Sequence, residues 1–141
     1  MISQRRRYDH VVTFAPPMTL TRLAVNIAAE PADESKWRLL LGFLDEYQQS
    51  AGRDRLLLIA AEPAAAGDRR WDVMLAAVAE HLAYQADSAA PAWVRGEGRE
   101  WLGRIWWVVP LASARPWALA HSPASFRRRG IFLHPDDLAV A

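Results

Sequence analysis

The chain contains no cysteine. That excludes disulfides, thiolate zinc sites, cysteine-held iron–sulfur clusters and cysteine nucleophiles, and it fits a cytoplasmic protein. Long apolar runs are also missing. A membrane-spanning helix needs about 20 apolar residues, and the longest candidates here are LLLIAA (56–61) and IWWVVPLA (105–112). The opening MISQRRRYDH is basic but is not followed by an apolar signal core. Charge of one sign is scarce, because 17 basic residues against 16 acidic ones leave a net charge of +1. A coat for duplex DNA is usually far more basic, although a local patch is still compatible with this total.

Reactive constellations are equally thin. The histidines at 10, 81, 121 and 134 form neither HExxH nor a His-x-x-His pair, so the usual helical metal seed is missing. No serine lies in a GxSxG elbow. RGEGREW (95–101) has a GxG but neither a preceding strand nor a third glycine. The pairs Asp33-Glu34 and Asp136-Asp137 are explained as helix starts, where negative side chains face the positive pole of the backbone dipoles. No catalytic residue, metal or cofactor is expected. Segment 32–62 has two helices around a glycine turn, but RLLLIAAE is too apolar to face a DNA groove.

What the chain does have is apolar mass, and much of it is indole. Hydrophobic residues make up 52% of the sequence, enough for a core, and 141 residues suit one domain. There are seven tryptophans, five of them beyond residue 90. TLTRLAVNIAAE (19–30) places Leu20, Leu23, Ala24 and Ile27 on one helical face. ADESKWRLLLGFLDEYQQS (32–50) predicts a longer helix with Trp37, Leu40, Leu41, Leu44 and Tyr47 or Gln48 turned inward. Alanines and few β-branched residues favour a helix over a strand for 53–62. Asp68 is placed to cap a helix over 69–86, with Trp71, Met74, Leu75, Val78, Leu82 and Ala86 as its stripe. Beyond it, 87–98 reads as an irregular connection carrying Trp93, and 99–110 as one helical turn around Trp101 followed by an extended RIWWVV. Ser113 is expected to cap a helix over 114–121.

The stretch SFRRRGIFLHPDD (125–137) admits two readings. In the structural one, Ser122-Pro123 starts a short helix and Gly130 ends it in the left-handed region. The arginines then sit in its last turn, where cations are favoured, and Pro135 opens another helix. In the functional one, Arg127, Arg128 and Arg129 present planar donor forks to a carboxylate or phosphate partner. The arginines at Arg5, Arg6 and Arg7 form a second basic patch. Trp106 and Trp107, adjacent in an extended segment, must point to opposite faces, so one is expected to meet solvent, the N-terminal segment or a partner. Exposed tryptophan and arginine are common interface anchors, which favours a binding protein.

A resemblance sharpens that reading. EPAAAGDRRWDVMLAAVAEHLA (62–83), PAWV (91–94) and WWVVPLASARPWALAHSPASFRRRGIFLHPDDL (106–138), in this order, resemble a domain of actinobacterial proteins. In many of these the domain follows a helix-turn-helix domain, and their genes often stand beside nucleotidyltransferase-like toxin genes. The similarity covers about residues 20–141; GDRRWD, PAWV and SFRRRGIF are its most specific pieces. It implies an antitoxin-like, non-enzymatic protein that binds a cognate toxin. The departures are a leader at 1–17 and no room ahead of the shared part for a separate helix-turn-helix domain, so DNA binding is not carried over. The expected fold is mainly α, a compact bundle of about five to seven helices. One or two short extended segments, at 104–109 and 130–134, are candidates to pair. Residues 1–17 are read as an N-terminal arm, either flexible or a start placed too early, and 18–141 as a single helical domain. The expected partner surface comprises Arg127, Arg128, Arg129, Trp93, Trp106 and Trp107. The alternative is a nucleic-acid-binding regulator that also uses Arg5, Arg6 and Arg7.

Overall fold

The computed structural model describes residues 16–138, so almost all of the arm read at 1–17 lies outside the described residues. The described chain is mainly helical, with six α-helices and two short strands. Helix α1 (Leu20–Ala28) is capped by Thr19, whose hydroxyl accepts from the Arg22 amide, and it buries Leu20, Leu23, Ala24 and Ile27 as its periodicity requires. Helix α2 (Asp33–Gln49) starts with two acids and buries Leu40, Phe43, Leu44 and Tyr47. Its inward stripe is rotated from the expected one. Phe43 turns in, while Trp37 and Leu41 are only partly covered. Helix α3 (Asp54–Ala60) settles the choice at 53–62 in favour of helix.

Helix α4 (Arg69–Gln85) is the centre of the molecule. Asp68 caps it, accepting from the Arg70 amide at 2.9 Å. Its buried residues run almost unbroken from Val73 to Glu80, so neighbours surround it on every side. A helix without a polar face is stable only in that position. A 3-10 turn (Ala92–Arg95) follows, carrying Trp93. The helical turn expected around Trp101 does not form. That stretch is fixed instead by long-range bonds: Arg69 donates to the Trp101 carbonyl, and the Leu102 amide to the Arg129 carbonyl at 3.2 Å.

Strand β1 (Trp106–Trp107) pairs in parallel with β2 (Ile131–Phe132), so the two extended segments do meet. Parallel strands need a crossover, and here it is built from helices α5 (Arg115–His121) and α6 (Ala124–Arg127). The pleat sends the two indoles apart: Trp106 lies against the main core and Trp107 against a smaller cluster with Val109, Ala118 and Phe132. Both are half-buried. A final 3-10 turn spans Pro135–Leu138, with Asp136 and Asp137 at its start.

Two caps differ from expectation. Helix α5 grows directly out of a 3-10 turn (Ala112–Ala114), so Ser113 caps nothing and the Ala114 position makes no side-chain bond. Helix α6 begins one residue later than Ser122-Pro123 implies, with Pro123 itself at the cap. Ser122 has another task. Its buried hydroxyl lies 2.6 Å from the Ala118 carbonyl and 2.9 Å from both the carbonyl and the amide of Leu133. It thereby ties the end of α5 to the chain leaving β2. Ser122→Ala leaves the buried Leu133 amide without its acceptor and is expected to cost about 1–2 kcal/mol in urea unfolding.

Candidate functional site

The arginine triplet does not stand out into solvent as a unit. Arg129 is fully buried, which corrects its assignment to an exposed partner surface. Its guanidinium donates to the Arg99 carbonyl at 2.9 Å, to Ser125 and Val94 carbonyls at 2.9 and 3.0 Å, and to both Glu80 oxygens at 2.9 and 3.4 Å. Every N–H of the fork is therefore used. Arg128 also binds both oxygens of Glu80 and approaches Glu100 at 3.8 Å. Glu80 itself is buried. Burial alone raises its carboxyl pKa, but hydrogen bonds from Arg129, Ser125 and Arg128 and the charge of Arg129 outweigh this and hold it below the ordinary value. The chain thus uses two of the three arginines to neutralise its own buried acid. Arg127 and Arg128 are both exposed, but Arg128 is already engaged by Glu80.

Trp93 is likewise committed inward. Its indole N–H donates to the Ile59 carbonyl at 3.2 Å, and the Arg99 guanidinium lies 5.0 Å from its ring centroid. His81 meets Phe126 edge-on at 5.5 Å, and burial pushes its pKa down, which favours a neutral packing role.

Trp106 and Trp107 do reach a common concavity. It is an open cleft of about 650 Å³ between the start of α2, the start of α4, strand β1 and the last 3-10 turn. Four indoles line it: Trp37, Trp71, Trp106 and Trp107. Trp71 is buried and forms the floor, packing 6.4 Å from Trp37 and edge-on 5.4 Å from Trp106. Three carboxylates, Asp33, Glu34 and Asp137, complete the wall. The edge-on arrangement of Trp71 and Trp106 suits the ring quadrupoles, positive edge toward negative face.

Arg70 organises this cleft. It bonds Asp33 at 2.8 Å and Asp68 at 2.9 Å while its guanidinium lies 4.9 Å from the Trp106 centroid. Hydrogen bonding to Arg70 is the largest influence on Asp33. It overcomes partial desolvation and keeps that carboxyl below its ordinary pKa, with help from the Trp71 indole N–H at 3.2 Å. Asp68 is held down by the same guanidinium. Arg70 is in turn pushed further above its normal value by Asp68 and Asp33. On the opposite face of β1, Arg115 lies 5.3 Å from the Trp107 centroid. Among the described residues no group of three or more histidine or acidic side chains is placed to hold a metal ion.

Of the expected partner residues, the cleft gathers only Trp106 and Trp107. Asp33, Glu34, Trp37, Trp71 and Asp137 were not anticipated there, because each has a local explanation as a helix start or a core residue. Arg5, Arg6 and Arg7 lie outside the described residues. No protein-family model, no curated protein and no solved structure matches this chain. Among the described residues, no helix is long and apolar enough to cross a membrane.

Proposed function

We propose that this chain is a binding protein that docks a partner protein at the tryptophan cleft and performs no chemistry of its own. One observation carries the reading: four indoles, three of them half-buried, and three carboxylates converge on a single open cleft. Half-buried tryptophan is pre-organised contact surface with little side-chain entropy left to lose, and such residues anchor interfaces. The finer proposal is an antitoxin-like role in the cytoplasm, the neutralisation of a nucleotidyltransferase-like toxin. Its support is the resemblance carried by GDRRWD, PAWV and SFRRRGIF. The docking surface differs from the one the sequence suggested, since Arg128 and Arg129 answer Glu80 rather than a partner. That same pairing weakens the nucleic-acid alternative, which needs the arginines turned outward.

The test is co-expression with the product of the adjacent gene. The expected result is relief of toxicity and copurification of the two chains. Trp37→Ala with Trp107→Ala is expected to weaken the complex by about 30-fold or more, whereas Trp117→Ala, outside the cleft, changes it little. A non-toxic neighbour that fails to copurify removes the antitoxin reading. A complex indifferent to the cleft variant removes the cleft.

A further inference from the structure

We propose that the occupant of the cleft is an arginine-bearing segment of the partner protein. This rests on the reading of the cleft as a docking site and adds the chemistry of what docks. An indole face attracts a cation through its quadrupole, most strongly where water is partly excluded. Guanidinium suits this best, because it is planar, weakly hydrated and able to donate to a carboxylate while it stacks. The cleft's lining supplies both halves of that recognition: the half-buried Trp37 indole and the Glu34 and Asp137 carboxylates.

The protein already shows this arrangement with its own side chain. Arg70 lies over Trp106 while binding Asp33, and both of these partners line the cleft. Asp33 is therefore satisfied and counts as structure. Glu34 is different. Its contact with Arg38 is long, 3.5 Å, and both side chains are more than three-quarters exposed. Such a pair is worth little and yields readily to a better one. Asp137 accepts from the His134 amide through Oδ2 at 3.2 Å, a bond that leaves the carboxylate its charge. Two carboxylates beside aromatic faces thus set the sign of the preferred ligand. An acidic or purely apolar segment would leave them desolvated and unpaired, at a cost.

The probe is a short end-capped peptide of alternating arginine and glycine, titrated into the full chain. It is compared with a peptide carrying citrulline, a neutral isostere, at the arginine positions. Indole Nε1–H resonances report binding directly. The arginine peptide is expected to bind at least about tenfold more tightly than the citrulline peptide and to weaken with added salt. Glu34→Gln combined with Asp137→Asn is expected to shrink the gap to about twofold or less. Equal affinity of the unaltered chain for the two peptides overturns the inference, and so does a gap that keeps its full size in the double variant. So does absence of arginine-peptide binding while the partner still copurifies through Trp37 and Trp107; in that case docking at the cleft stands and its cationic chemistry fails. If Arg5→Ala, Arg6→Ala and Arg7→Ala together raise peptide affinity tenfold or more, the chain's own arm is the occupant, and the assignment to a partner is overturned.

Discussion

Glu80→Ala is expected to lower the stability of the protein by about 3–5 kcal/mol, or roughly 10–20 °C in melting temperature. The magnitude comes from what the substitution leaves behind. Arg129 is fully buried and keeps its charge, and its carbonyl partners at 94, 99 and 125 cannot neutralise it. An orphaned buried cation costs far more than the pair contributes while intact. Glu80→Leu combined with Arg129→Met is therefore expected to cost clearly less than the two single changes added together. A loss below about 1 kcal/mol for Glu80→Ala would contradict this account of the network.

The same carboxylate gives a pH signature. Its folded pKa lies below the ordinary glutamate value of 4.5, so the stability it contributes is complete above that value. It is lost as pH falls from there through the depressed folded value. Asp33 and Asp68, both lowered by Arg70, act with the same sign. Chemical unfolding across this acid range is expected to show stability declining with falling pH, and the decline to be shallower, though not abolished, in Glu80→Gln.

Gly130→Ala is expected to cost about 2–4 kcal/mol. The residue has φ of +88°, a backbone conformation that disfavours any Cβ. A methyl group built there would also lie 2.7 Å from Cζ3 of Trp101 and 3.0 Å from the Arg104 carbonyl oxygen. The indole can swing aside, but the carbonyl belongs to the strand approach: the Trp106 amide donates to the Gly130 carbonyl itself at 2.8 Å. Relieving the overlap therefore pulls β1 from β2 and loosens Trp106 and Trp107 at the cleft. Guanidinium unfolding and the indole chemical shifts of both tryptophans are expected to change together. Wild-type stability in this variant would mean that the β1–β2 approach is looser than described.

The helices were largely legible because their signals are local. Leu20, Leu23, Ala24 and Ile27 repeat with helical spacing and are all buried, and Asp68 caps where its position implies. Gly130 likewise marks a left-handed helix end. What escaped is set by residues far apart in sequence. Glu80 and Arg129 are 49 positions apart, and nothing near either identifies the other. One signal was available. VMLAAVA (73–79) spans nearly two turns without a polar residue, so the helix is buried on all sides and the acid that follows requires a cation. The adjacent tryptophans pointed to opposite faces, as a pleat demands, but both faces proved to be lined by protein. The cleft joins residues from 33 to 137. Asp33 and Glu34 are both a favourable helix start and cleft wall, and the first role concealed the second.

Fluorine NMR of the 5-fluorotryptophan-labelled chain, recorded free and in the purified partner complex, tests the central claim most directly. The seven indoles are probes already distributed over the molecule. Docking at the cleft predicts that the Trp37, Trp106 and Trp107 resonances shift on complex formation while those of Trp101 and Trp117 stay in place. Shifts confined to Trp101 and Trp117, with the cleft resonances unmoved, would place the partner elsewhere and contradict the account.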